Sequence, residues 1–343
     1  MSTHESTTEV PVPPHVQLIQ MGTAGWVSAI VSTAAKVGLA DQLAPGPKSA
    51  AELAGTMGLH APSLHRMMRT LASLGILTED AAQRFALTPV GHAMRAGAPG
   101  GAHGTLLAFN GLITRAWEEM PYSLATGKPA FDKTFGMPLF EYIAARPDLA
   151  AHFSEAMVGF HGQEPPAVAA AYDFSGFLRV ADVGGATGNM LAAILARHPG
   201  PRGVLFDLPH VVTGAPALLT ASGVADRVDI ESGSFFERVP AGVDCYVLSH
   251  VIHDWSEEQC LTILGHCRKA ITPNGRLLIV EMVLPAGDTP HPGKVLDMVM
   301  LTIPGGQERT EAEYSALVGK AGFRLNRVVP TASAVSVVEA LPV

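Results

Sequence analysis

The chain has 343 residues, 48% hydrophobic and 16% charged, which excludes a disordered chain or a polyelectrolyte and suggests two domains. Its formal net charge of -8, with no compensating basic cluster, argues against a protein that grips a phosphate backbone. Three cysteines (Cys245, Cys260 and Cys267) are too few for a disulfide framework and lack metal-knuckle spacing, so a reducing, cytoplasmic setting is expected.

Residues 1–14 are polar and proline-rich, and read as a disordered arm without the basic and apolar regions of a signal peptide. No unbroken apolar run reaches the ~20 residues of a membrane span, so a soluble protein is expected. From Val16 to Leu43 the spacing of Ile19, Trp26, Ile30, Val37 and Leu43 predicts helix. That segment is apolar around most of its girth and needs burial, in a core or against another subunit. Ser49 to Glu52 forms a capping box for a helix to Met57, and Pro62 opens a second helix with Leu64, Met67, Met68, Leu71 and Leu74 on one face. Gly75 ends it, and Ile76–Thr78 and Arg84–Thr88 read as a hairpin. Helix, helix, hairpin is a winged-helix outline over residues 15–104. It could serve DNA through His65, Arg66 and Arg69, or dimerisation, and the acidic total favours dimerisation.

Residues 105–172 read as helices around a loop at Thr126–Pro138. After Pro147, Phe153, Met157, Phe160 and His161 share one helical face, as a core stripe or as the wall of an apolar ligand pocket. Over residues 173–343 the text alternates. Strands are predicted at Arg179–Val183, Gly203–Asp207, Val228–Ser232, Cys245–Ser249 and Arg276–Glu281, with helices between. Two β-rich pieces between Phe323 and Leu341 close the chain as an antiparallel hairpin. The fold class is therefore α/β: a C-terminal doubly wound, Rossmann-like sheet ending in that hairpin, behind an N-terminal helical domain.

A glycine turn, Gly184-Gly185-Ala186-Thr187-Gly188, follows the first of these strands and its Asp182. The spacing departs from the dinucleotide fingerprint G-x-G-x-x-G. Asp207 ends the next strand, roughly 20 residues past the turn, where a carboxylate can take both hydroxyls of a ribose or cap the following helix. Ser234 and Phe235 follow the third strand, and the fourth runs from Ser249 into His250-Val-Ile-His253-Asp-Trp255.

These motifs together resemble the plant-type, caffeate- and acetylserotonin-like S-adenosylmethionine-dependent O-methyltransferases and their bacterial natural-product branch. The resemblance is carried by DVGGATG (Asp182–Gly188), DLPHVV (Asp207–Val212), SGSFF (Ser232–Phe236), HVIHDWSEEQC (His250–Cys260) and PGGQERTEAEY (Pro304–Tyr314), in family order. It implies a winged-helix dimerisation domain and S-adenosyl-L-methionine as cofactor, with S-adenosyl-L-homocysteine as product. By the same resemblance His253 is the general base, and Glu281 and Glu308 are the carboxylates that orient it. Asp182, Gly184, Gly185 and Gly188 hold the methionine part of the cofactor, Asp207 with Leu208 the ribose, Ser234 and Phe235 the adenine side, and Ser249 lines the strand end. Phe153, Met157, His161, Trp255 and Met300 surround the acceptor, a small aromatic carrying a hydroxyl. Trp26 is a candidate for contact with the second subunit of a homodimer. Ala186 replaces the middle glycine of the turn, which reads as a small change, and a frequent Lys or Arg around Ser249 and His250 is absent.

Taken alone, Glu281 could be a loop anchor and Glu308 a surface charge, while His250, His266 and His291 read as surface or capping histidines. No acidic cluster of the Mg²⁺-dependent catechol type is seen, so no metal is expected. Two other readings stay open. One is a relative that uses the cofactor for hydroxylation or decarboxylation; the other is a metabolite-sensing winged-helix regulator that binds DNA.

Overall fold

The structure is a computed structural model that describes residues 12–98 and 100–343, so most of the arm read at residues 1–14 lies outside the described residues. The chain divides into two compact units, one of residues 1–114 and 147–160, the other of residues 115–146 and 161–343.

In the first unit the apolar N-terminal segment is a helix, Pro14–Lys36, followed after Gly38 by a short one, Leu39–Leu43. The long helix buries only Ser32, Ala34 and Ala35 within the chain, while Leu18, Met21 and Trp26 are each 72% exposed. Burial in the chain's own core, one of two outcomes the composition allowed, is therefore not what this helix does. By length and composition it is also long and apolar enough to cross a membrane. The expectation of no such segment is corrected: Gly22, Ser28 and Ser32 interrupt the apolar run without interrupting the helix.

Ser49 makes the predicted capping box with Glu52 at the start of Ala50–Met57. Helix Ala61–Ser73 turns Leu64, Met68 and Leu71 into a core shared with Leu39, Leu43, Leu53 and Phe85. The hairpin has a third strand that sequence reasoning missed: β1 (Lys48–Ser49) pairs with β3 (Arg84–Leu87), which pairs with β2 (Leu77–Glu79). A two-residue strand is too short to show a period of two. Helix Pro147–His161 forms as predicted.

The second unit is built on a seven-stranded sheet. Its parallel strands are β4 (Arg179–Val183), β5 (Arg202–Asp207), β6 (Val228–Ser232), β7 (Cys245–Ser249) and β8 (Arg276–Glu281). Short strand β9 (Val283–Leu284) pairs in parallel with β10 (Arg309–Thr310) as a separate ribbon. The terminal hairpin, β11 (Phe323–Pro330) and β12 (Ser336–Pro342), joins the main sheet through β12 and β8, giving the order β11-β12-β8-β7-β4-β5-β6.

Alternate residues of β4, β5, β7 and β8 enter different cores. Ala181, Val183, Val204, Phe206, Tyr246, Leu248, Leu277 and Ile279 pack with Ile263, Leu264 and Leu317 on one face. Val180, Leu205, Val247, Leu278 and Val280 pack with Leu191, Ile194, Leu195 and Val168 on the other. Burial on both faces explains why these strands read as continuous apolar runs. The chain runs outward from β4 through β5 to β6, then returns to β7 on β4's other side. That reversal sets the topological switch point at the carboxyl ends of β4 and β7, the place where open α/β sheets bind ligands. One predicted loop is partly helical: Ala130–Phe135 lies inside Thr126–Pro138, with Phe131 fully buried.

Candidate active site

Asp182, Asp207, Ser249 and Glu281 stand at the carboxyl ends of the adjacent strands β4, β5, β7 and β8. Asp182 is fully buried beneath the glycine turn. Its Oδ2 accepts from Leu191 N at 3.2 Å, and its Oδ1 is buried with no hydrogen-bond partner. Burial raises its pKa to about 7. Gly185 lies directly against this carboxyl: a Cβ there would stand 2.5 Å from Asp182 Cγ and 2.7 Å from Leu205 Cδ1. Only glycine lets the turn close over the aspartate. Ala186 sits at φ +50, the left-handed region, so the change from glycine is small in volume but strained in backbone, a cost of roughly 1–2 kcal/mol.

Asp207 caps backbone on both sides. Its Oδ2 accepts from Ala186 N at 2.8 Å and its Oδ1 from Leu208 N at 2.6 Å, tying the turn to β5. Leu208 is 41% exposed. Gly188 begins helix Asn189–Arg197. Ser234 accepts from Phe236 N at 3.2 Å, so its hydroxyl is engaged in its own turn. Phe235 lies over Gly184, 3.4 Å from where a Cβ would stand, and meets Trp255 edge-on at 5.9 Å between ring centroids. Trp255 also contacts Phe236 and Phe140.

Carboxylates, a hydroxyl and an aromatic ring, with no Lys or Arg among them, suit a cationic nucleoside better than a pyrophosphate. The unpartnered Asp182 Oδ1 adds an acceptor in want of a donor. These residues fit a sulfonium nucleoside.

Beyond Ser249 the chain makes a 3₁₀ turn, Ile252–Asp254, that carries His253. The imidazole is buried, and its Nδ1 lies 2.6 Å from Glu308 Oε1. Asp254 Oδ1 stands 3.7 Å from its Nε2. Glu281, fully buried, accepts the His253 backbone N–H through Oε1 at 3.0 Å and the Tyr314 hydroxyl through Oε2. Glu281 thus holds the turn's backbone and Glu308 holds the ring. Glu308 arrives through the β9–β10 pairing, which sets Arg309 beside Val283, two residues past Glu281. Gly306 lies against the same turn, and Gln307 N donates to His253 O at 2.8 Å. Arg309, also buried, donates to Ile252 O at 3.4 Å.

Burial alone would depress the His253 pKa. The charge of Asp254, the hydrogen bond to Glu308 and the charge of Glu281 overcome it and raise the value to about 10. Burial lifts Asp254 to about 6 against the pull of His253, and burial likewise raises Glu281. Asp254, Tyr314, Arg309 and Gly306 were not singled out from sequence. Each lies inside a quoted motif, Asp254 beside His253 and the other three within Pro304–Tyr314, and that position was the available signal.

Of the acceptor-side candidates, Met300 is buried in helix Pro292–Thr302 and its carbonyl accepts from Gly305 N and Gly306 N. Phe153 and Met157, both half-buried, belong to the first unit. His161 Nδ1 lies 3.0 Å from Glu164 Oε2, and His250 Nε2 lies 2.6 Å from the same oxygen. His250 is thus no surface histidine: its strained φ of +51 turns the ring inward, against Glu164. Burial lowers its pKa to about 4, against the pull of Glu164. The two histidine hydrogen bonds hold Glu164 at about 2 despite its burial. His266 anchors Phe236 O, and only His291 is the helix cap expected of it.

The O-methyltransferase domain matches residues 117–324, and the O-methyltransferase dimerisation domain residues 20–96. The chain belongs to the S-adenosylmethionine-dependent O-methyltransferase family. It is 43% identical over 332 residues to phenazine O-methyltransferase PhzM of Lysobacter antibioticus, covering 97% of each chain. With O-demethylpuromycin-O-methyltransferase of Streptomyces alboniger it shares 39% over 327 residues, 93% of this chain and 87% of that one. With 8-amino-8-demethylriboflavin N,N-dimethyltransferase of Streptomyces davaonensis it shares 34% over 319 residues, 91% of each. The crystal structure of LaPhzM matches with a TM-score of 0.93 at 43% identity, over 97% of this chain and 100% of that one. NcsB1 from neocarzinostatin biosynthesis, in complex with S-adenosylmethionine and 2-hydroxy-5-methyl naphthoic acid, matches with a TM-score of 0.80 at 33% identity, over 92% and 96% of the chains. As a member of this family, the protein is an enzyme that uses S-adenosylmethionine.

Proposed function

We propose that the enzyme methylates a hydroxyl of a small aromatic natural product, with His253 as general base. The observation that carries this is the buried imidazole at the sheet's carboxyl edge, its Nδ1 held by Glu308 at 2.6 Å and its Nε2 3.7 Å from Asp254, beyond hydrogen-bond range. When bound, S-adenosylmethionine supplies an electrophilic methyl group on a sulfonium. Asp182 and the turn at Gly184, Gly185 and Gly188 would hold its methionine part, Asp207 and Leu208 its ribose, and Ser234, Phe235 and Ser249 its adenine side. Within the second unit, Trp255, Met300 and His161 would receive the acceptor.

The pKa of His253 bears directly on the chemistry. At an ordinary value of ~6.5, proton transfer from a phenol of pKa ~10 is uphill by roughly 3.5 units, or about 5 kcal/mol. Raised to about 10, His253 matches an ordinary phenol and the transfer becomes nearly level. The same residue is then protonated at neutral pH. An acceptor acid enough to arrive as a phenolate can pair with His253 in its imidazolium form, which is the same proton count as neutral imidazole with phenol. Hydroxyls acidified by a ring carbonyl or a ring nitrogen are therefore the favoured acceptors.

The exposed apolar surface of helix Pro14–Lys36, with Trp26 on it, falls largely within the dimerisation-domain match, and a second copy of the chain is its natural cover. Our reading is a cytoplasmic homodimer without nucleic-acid or membrane partners. N-methylation is the second reading, motivated by the riboflavin-type relative. Donor labelled in its methyl group, offered with matched panels of hydroxyarenes and arylamines, decides between them. Label should enter the acidic hydroxyarenes. Label confined to arylamines would overturn the hydroxyl assignment.

A further inference from the structure

Beside the His253 group lies a second polar cluster. Glu164 opens helix Glu164–Ala171, is 5% exposed, and brings one carboxylate oxygen to 3.0 Å from His161 Nδ1 and 2.6 Å from His250 Nε2. The two imidazole rings lie 3.8 Å apart, and one ligand atom from each of the three residues lies within 4.8 Å of the others. Among the described residues, the ion-pair partners of Glu164 are these two histidines, with no Lys or Arg beside it. The methyl-transfer chemistry argued above uses neither Glu164 nor His250.

We propose that His161 Nδ1, Glu164 Oε2 and His250 Nε2 form a site for one transition-metal dication of the zinc class. Two imidazoles and one carboxylate are borderline donors that suit such an ion, and they differ from the all-oxygen sets that Mg²⁺ and Ca²⁺ take. Metal–ligand bonds of about 2.0–2.1 Å in a tetrahedron set ligand atoms roughly 3.3 Å apart. The two measured separations fall short of that by tenths of an ångström, so small rotations of the side chains would admit an ion. It would stand where two N–H protons now hold the cluster. Each neutral imidazole would keep its proton on its other ring nitrogen. For His250 that is Nδ1, which is buried and has no hydrogen-bond partner. The dication would also neutralise a buried carboxylate that no cationic side chain accompanies. Three protein ligands leave a fourth position for water or for an oxygen of a bound small molecule.

The test titrates chelator-stripped, full-length protein with Zn²⁺ against a chromophoric chelator, and with Co²⁺ for its visible absorption. Wild type should take up one ion per chain, with the intense visible bands of four-coordinate Co²⁺. Glu164→Gln and His161→Asn should each weaken binding by roughly tenfold or more, with the far-ultraviolet circular dichroism unchanged. His161 is partly exposed, so its variant keeps the test decisive where the buried one disturbs folding. No stoichiometric uptake by wild type would overturn the proposal. So would uptake that survives both substitutions, or a Glu164→Gln variant that binds Zn²⁺ normally but loses affinity for S-adenosylmethionine.

Discussion

Replacing His253 with alanine is expected to lower kcat by roughly 10²–10⁴-fold, the usual contribution of a positioned general base, with cofactor binding nearly unchanged. Two buried carboxylates hold His253, Glu308 through the ring and Glu281 through the backbone. Methyl transfer is an in-line displacement, so the acceptor oxygen must lose its proton while its orientation is kept. Single-turnover transfer of labelled methyl, set beside calorimetry of S-adenosylmethionine, separates the two effects. Lost transfer with retained binding is the expected pattern. With an acceptor of ordinary phenol acidity, pKa ~10, a loss of under tenfold would overturn the general-base role.

Gly306→Ala is expected to cut activity by about 10²-fold or more, although residue 306 carries no functional group. A Cβ at this position would stand 1.8 Å from His253 O and 2.5 Å from Asp254 C, both backbone atoms that cannot swing away. Either the 3₁₀ turn or the segment carrying Glu308 must move, and Gln307 N loses its bond to His253 O. A displacement of about 1 Å at a reacting group can cost 10² in rate. The overpacking itself should cost roughly 1–3 kcal/mol of stability, visible in denaturant unfolding. The contrast with His253→Ala is informative, since Gly306→Ala should lose both stability and rate. Wild-type rate in Gly306→Ala would show that the turn tolerates the shift and that ring placement is not limiting.

Much of the sheet was legible because its strands are buried on both faces and so read as apolar runs of five or six residues between helical patterns. The capping box at Ser49 was legible for a local reason: its two hydrogen bonds span three residues. Elements defined by distant partners were not. Strands β1, β9 and β10 have two residues each and exist only through pairing with segments far away in sequence. The helix Ala130–Phe135 was hidden by Gly127, Pro129 and Gly136, which bound it closely enough to read as loop.

The candidate site divides the same way. His253 and Glu308 were reached through family motifs and Glu281 through the resemblance alone, and nothing local in the sequence says that Glu308 meets His253 across 55 residues. The Glu164–His250 contact spans 86 residues and had no motif to announce it. His250 was misjudged because its burial depends on a positive φ, which sequence does not display for a non-glycine residue. Ala186 was misjudged for the same reason, its volume being easier to read than its backbone.

The most direct test of His253 as a base raised to about 10 is the pH dependence of kcat/KM for two acceptors of different acidity. For an acceptor of pKa ~10, productive pairs of imidazolium and phenolate become more abundant as the phenol ionises. The rate should therefore climb about tenfold per pH unit up to pH ~10. For an acceptor of pKa ~6, phenolate and imidazolium coexist from pH ~6 to ~10, and the profile should be flat across that window. It should fall only above it, as His253 loses its proton. Profiles that both break near pH 6.5, or a flat profile for the weakly acidic acceptor between pH ~7 and ~9, would contradict the assignment.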